Sequence, residues 1–169
     1  MLIRAYGLYW NPDAVNWRDC ELIGKTKIQK KSYEINYWNA QGVYVLLRDF
    51  TPVYVGKAIS RRLGYRVQDH LTDRFAGRWD MFSWFSISSP AKISLGVKSP
   101  GLRGVKPRTV VDTLEALSIL ITDPPLNRKR ETIPEAHPAE QVKSPHPHTI
   151  RHYLEILMKK TDEINGKLQ

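Results

Sequence analysis

Apolar positions change their period along this chain, and each change marks an element. Residues 1–39 are rich in aromatics (Trp10, Trp17, Tyr33, Tyr37, Trp38) with weak periodicity, and read as a prefix packed on the domain that follows. From Gly42 the pattern becomes a hairpin. Residues 43–47 and 53–55 are strand-like runs around the polar turn Arg48, Asp49, Phe50, Thr51 and Pro52, and they pair antiparallel. Residues 60–71 then follow a helical period: Leu63, Val67 and Leu71 make a buried stripe, and Arg62, Arg66 and His70 form the stripe beside it. Residues 79–87 predict a third strand, followed by a Gly, Pro and Lys loop up to Arg108. A second helix over 109–122 turns Val110, Leu114, Leu117 and Ile121 to the core and is stopped by Asp123, Pro124 and Pro125.

Residues 128–147 are rich in proline and poor in apolar residues, which reads as a linker or surface arm. A closing helix over 149–164, with Ile150, Leu154, Leu157 and Ile164 near one face, can dock on the domain or on a second subunit. The elements give an α+β class and three stretches: a prefix, 1–39; a catalytic domain, 40–128; and an arm with a helix, 129–169.

Composition adds a partner to this picture. The 169 residues, 41% of them hydrophobic, suffice for one packed domain with extensions. The lone Cys20 forms no internal disulfide, the first ten residues lack a signal's apolar core, and no run approaches a membrane span. A cytoplasmic protein without membrane contact is expected. Twenty-six Lys and Arg against seventeen Asp and Glu give a net charge of +9, which favours a polyanion. The cations cluster at Arg61, Arg62, Arg66, Arg74 and Arg78, at Lys98, Arg103, Lys106 and Arg108, and at Arg128, Lys129 and Arg130.

Gly42-Val43-Tyr44, followed by Tyr54-Val55-Gly56-Lys57, resembles the paired tripeptides of the GIY-YIG nucleases, with valine in both isoleucine positions. The downstream order is similar as well: Arg66 in a Leu63-Gly64-Tyr65-Arg66 helix, His70 one turn later, Glu115 in the second helix, and a Pro125-Leu126-Asn127 ending. The resemblance covers 42–127, about half the chain. It implies a small antiparallel three-stranded sheet flanked by helices, and a metal-dependent endonuclease that cuts DNA to leave a 5′-phosphate and a 3′-hydroxyl.

Cutting a phosphodiester needs an activated water, neutralised charge on the phosphate and a stabilised leaving oxygen. Glu115, at the border of an apolar stripe, is either a boundary glutamate or a ligand for Mg2+ (or Mn2+) with waters retained; its spacing to Asn127 favours the second. Arg66 would clamp the scissile phosphate, with His70 at i+4 on the same face. His70 would polarise the nucleophile, relay a proton or contact a phosphate. Tyr44 and Tyr54 reach one phosphate if they leave the same face of the sheet, with Tyr44 chosen as general base. A free phenol has a pKa of about 10, so a phenolate at neutral pH costs roughly 4 kcal/mol. Lys57 could lower that pKa, or the phenol could relay a proton without a standing phenolate. Asn127 braces the site or is a turn residue.

Arg61, Arg62, Arg74, Arg78, Arg128, Lys129 and Arg130 are the nucleic-acid-binding candidates. Charge leaves RNA open as the substrate, and a binding module on a decayed nuclease scaffold stays open too. One site cuts one strand, so a double-strand break needs a homodimer or two encounters. His146, His148 and His152 read as a solvated histidine cluster, and Trp79 and Trp84 as packing rather than base stacking.

Overall fold

The computed structural model of the chain describes residues 2–101, 104–128 and 150–167. The chain divides into two units, Met1–Glu135 and Ala136–Gln169. The first unit begins with β1 (Ala5–Trp10), a 3-10 turn (Pro12–Ala14), the hairpin β2 (Ile23–Ile28) and β3 (Lys31–Asn36), and the hairpin β4 (Gly42–Arg48) and β5 (Thr51–Ala58). Helix α1 (Leu63–Asp69), strand β6 (Met81–Ser86), the short pair β7 (Ser89–Ala91) and β8 (Gly96–Lys98), and helix α2 (Pro107–Thr122) follow. The second unit holds α3 (Ile150–Lys167). The class is α+β and every strand pairing is antiparallel. None of the described helices is long and apolar enough to cross a membrane.

The main sheet has four strands in the order β1-β6-β4-β5, one more than the sequence predicts. The addition is β1, which pairs with β6 through Ala5↔Ser86, Tyr6↔Phe85 and Gly7↔Trp84 before a bulge shifts the register at Trp10. That bulge, together with the exposed Tyr6, Leu8 and Tyr9, erases the alternation that would announce a strand. Strand β4 lies in the sheet interior and is covered on both faces, so it carries the unbroken apolar run Val43-Tyr44-Val45-Leu46-Leu47. The β4–β5 turn is tighter than predicted. Only Asp49 and Phe50 form it, both with positive φ (49° and 63°), the conformation a two-residue hairpin turn requires. Pro52 is thereby drawn into the edge strand β5.

Helix α1 is seated by the end of the N-terminal segment. Its first N–H groups donate to backbone carbonyls, Leu63 to Ala40 (3.0 Å) and Gly64 to Trp38 (2.9 Å), and so need no side-chain cap. Gly64 packs so closely on the Trp38 ring that a methyl group there would overlap it. Trp38, Tyr37, Leu22 and Ile35 are buried with Tyr44, Leu46, Val67 and Phe82 in one core on this face of the sheet. At roughly 1.5–3 kcal/mol per large side chain removed from water, this cluster holds the β2–β3 hairpin, α1 and the sheet together.

Helix α2 covers the other face, where Val110 and Val111 meet Val43 and Ile87. Its buried positions are Val110, Val111, Glu115, Ala116 and Ile119, whereas Leu117 and Ile121 are 42% and 72% exposed. Of the predicted inward stripe, Val110 is buried and Leu114 packs beside it, whereas Leu117 and Ile121 face away from the sheet. Apolar residues occupy more than half the helix circumference, so periodicity alone does not select which stripe faces the sheet. In α1 the predicted stripe stops at Val67, because the helix ends at Asp69 and Leu71 is 37% exposed.

Candidate active site

Tyr44 faces Gly56 across the β4–β5 ladder, and Tyr54 faces Leu46. Positions 44, 46, 54 and 56 share one face of the sheet, so the two tyrosines leave it together, with ring centroids 6.2 Å apart. Gly56 is required here: a side chain would overlap the Tyr44 hydroxyl and stand 2.8 Å from Cε1 of Tyr54. Tyr44 is fully buried and Tyr54 partly so.

The Tyr44 hydroxyl lies 2.7 Å from Nε2 of His70, a histidine only 2% exposed. On the other side of the ring, Nδ1 is 2.7 Å from Oδ2 of Asp73. A carboxylate only accepts, so Nδ1–H donates to Asp73, and the Nε2 lone pair of the neutral ring accepts from the Tyr44 hydroxyl. Asp73 is itself held by the Phe75 N–H, 2.7 Å from Oδ1, and Trp79 Nε1 donates to the His70 carbonyl at 3.1 Å. Burial pushes the His70 pKa below its usual value against the opposing pull of Asp73, which keeps the ring neutral at pH 7. Burial, with Tyr54 adding to it, holds the Tyr44 phenol well above its ordinary range, and the Arg66 charge only partly offsets this. Tyr54 is raised too, by burial first, while Arg66 lowers it and Glu115 raises it.

Arg66 is thus close enough to act on both phenols, and its guanidinium is partly exposed, 3.7 Å from Asp69. Lys57 leaves the sheet on the face opposite the tyrosines and does not act on Tyr44. Its Nζ is 2.7 Å from Glu115 Oε2 and 3.1 Å from Asp112 Oδ1. Burial pulls its pKa down, but the two carboxylates outweigh that and raise it. Helix α2 therefore presents two hard oxygen ligands around one cationic group. The buried Asp112 Oδ1 has the Lys57 ammonium, 3.1 Å away, as its cationic neighbour. That donor set suits a magnesium-like ion, which keeps most of its waters and needs one or two carboxylates. No group of three or more His, Cys, Asp or Glu suited to a metal occurs among the described residues.

Asn127 acts as one more peptide unit along the outer edge of β5: its Oδ1 accepts from the Val55 N–H at 2.8 Å and its Nδ2 donates to the Val55 carbonyl at 2.9 Å. The Leu126 N–H adds a bond to the Val53 carbonyl at 3.0 Å, so this segment covers the strand edge and braces Tyr54 from both sides.

A cleft of about 260 Å³ opens beside these residues, and four cations line it: Lys57, Arg61, Arg66 and Arg108. Arg61 also donates to Asp69 (2.7 Å), and Arg62 donates to the Ile59 carbonyl (2.9 Å). Arg74 stacks on Phe75, and Arg78 and Arg128 are exposed. Lys129, Arg130, Arg103, His146 and His148 lie outside the described residues, as does the His152 side chain. Trp79 and Trp84 are buried.

Sequence reasoning missed Asp73 and Asp112. A carboxylate three residues beyond a histidine, and another three residues before a helical glutamate, are the spacings that could have found them. Comparison of this chain with protein-family models, with curated proteins and with solved structures finds no match.

Proposed function

We propose that this chain is a metal-dependent endonuclease of the GIY-YIG type that hydrolyses DNA phosphodiester bonds. One observation carries the reading. Tyr44 and Tyr54 from one hairpin, and Arg66 and His70 from the segment after it, meet beside a cleft lined by four cations, with Glu115 held on one of them, Lys57, at 2.7 Å. The three strands β6-β4-β5 with α1 and α2 would correspond to the fold that the tripeptides imply, with β1 added at one edge.

Tyr44 is the relay for the attacking water. A standing phenolate would cost more than the roughly 4 kcal/mol of a free phenol, because burial raises its pKa further. Instead, Tyr44 takes the water proton as it passes its own to Nε2 of His70, and Asp73 stabilises the imidazolium that forms. Arg66 binds the non-bridging oxygens of the scissile phosphate and offsets the charge that builds there. Tyr54, its ring 6.2 Å from that of Tyr44, orients the phosphate. Glu115, with Asp112 beside it, would hold Mg2+ or Mn2+, which when bound supplies positive charge to the phosphate and the leaving oxygen.

The test is cleavage of supercoiled plasmid with magnesium, with EDTA and by Glu115→Ala, beside labelled single-stranded RNA. Metal-dependent nicking or linearisation that the variant lacks is expected. Cleavage of RNA alone would reassign the substrate, and binding without cleavage of either polymer would leave a binding module.

A further inference from the structure

The cationic cleft does not end at the scissile position. A second hollow shares its Ser60 and Arg61 and adds Arg62 and Tyr65. A third, of about 290 Å³, shares Arg62 and adds Lys98, Asn39 and Ser99. The three form one track from Arg66, past the N-terminal end of α1, to β8. Among the described residues no carboxylate lines any of them, although Asp69 pairs with Arg61 and Arg66, and Asp112 with Lys57 and Arg108. Tyr65 lies midway along the track, its ring packed edge-on to Trp38 at 5.3 Å with the Arg61 guanidinium 5.7 Å from its centroid. A guanidinium stacked on an aromatic presents its fork to a phosphate with little ordering cost.

We infer that this track binds the DNA backbone flanking the scissile phosphate on one side, with Lys98 as its far phosphate contact. The inference rests on the nuclease reading for the position of the scissile bond. The track's lining mixes cations with hydroxyl and amide side chains, which fits phosphates and the sugars between them. Lys98 is exposed at the end of β8, in a different sheet from the tyrosines, so its charge can be changed without altering the strands that carry them.

The experiment measures affinity of the full chain in EDTA for duplexes shortened stepwise from one end or the other, across a salt series. Wild type is compared with Lys98→Glu and with Lys31→Glu, the same charge change on the β2–β3 hairpin. Shortening on one side should weaken wild-type binding steeply, and Lys98→Glu should remove that asymmetry and lower the slope of log K against log[salt] by about 1. Lys31→Glu should keep both. Equal losses in the two variants, or an unchanged asymmetry in Lys98→Glu, would overturn the track. Plasmid cleavage by the same wild-type preparation with magnesium tests the nuclease reading separately: a protein that cuts but shows no asymmetry loses the track alone.

Discussion

Asp73 Oδ2 and His70 Nδ1 are 2.7 Å apart, on the side of the ring away from Tyr44, so one carboxylate sets which histidine nitrogen faces the phenol. Asp73 touches no reacting atom and is a positioning residue. In Asp73→Asn the plateau rate should fall roughly 10- to 100-fold, part of the ~10²–10⁴ that acid–base catalysis contributes. The base must be neutral to act, and Asp73 raises the His70 pKa, so its loss should move the acidic limb of the pH–rate profile to lower pH. A merely structural Asp73 would leave the limb in place.

His70 also ties stability to pH. Its folded pKa lies below the unfolded value of about 6.5, so the unfolded chain takes the proton first as pH falls. Stability should drop as pH falls from above about 6.5 toward the folded pKa, then flatten in this contribution. Urea melts of wild type and His70→Gln at a series of pH values check it, the variant losing this step.

The two tyrosines should separate. Tyr44→Phe removes the hydroxyl bonded to His70 and should cost about 10²–10⁴ in rate, with about 1–3 kcal/mol of stability from the unsatisfied ring nitrogen. Tyr54→Phe leaves that relay in place and should cost less in rate. Single-turnover cleavage and thermal melts of both variants decide the assignment.

Two glycines in the same hairpin should fail differently. A methyl on Gly42 overlaps the Phe85 carbonyl oxygen, a rigid backbone atom, whereas a methyl on Gly56 meets the movable end of Tyr44. Gly42→Ala should lose on the order of 1–3 kcal/mol of stability by overpacking. Gly56→Ala should lose activity more than stability, which paired melts and cleavage assays measure.

Asn127→Ala removes both bonds to Val55 and uncovers part of the β5 edge. We expect a loss of about 1–3 kcal/mol in denaturant unfolding. Restoration of wild-type stability by Asn127→Asp would contradict the two-bond brace, since aspartate keeps the acceptor and lacks the donor.

What the chain discloses by reading depends on how local the cause is. The i+4 step from Arg66 to His70 follows from the helix period alone, whereas the shared face of Tyr44 and Tyr54 depends on the bulge that shifts the β4–β5 register between Leu46 and Leu47. Nor does the partner of Lys57 follow from a period, because it depends on how α2 is rotated, and that helix is apolar on most of its surface. Asp73 hid in the turn after α1, where no period operates. Strand β1 hid because its partner is distant and its bulge breaks the alternation.

That distant partner sets an order in time. When β1 leaves the ribosome, the β6 edge it needs has not been made, and translation at about 5–20 residues per second leaves it waiting on the order of ten seconds. The β4–β5 hairpin can close within microseconds of emerging, so the sheet begins in its middle and the first-made strand is fitted last. Through that interval the β1 backbone, and the Trp10 ring that the finished sheet packs on Trp84, have no partner.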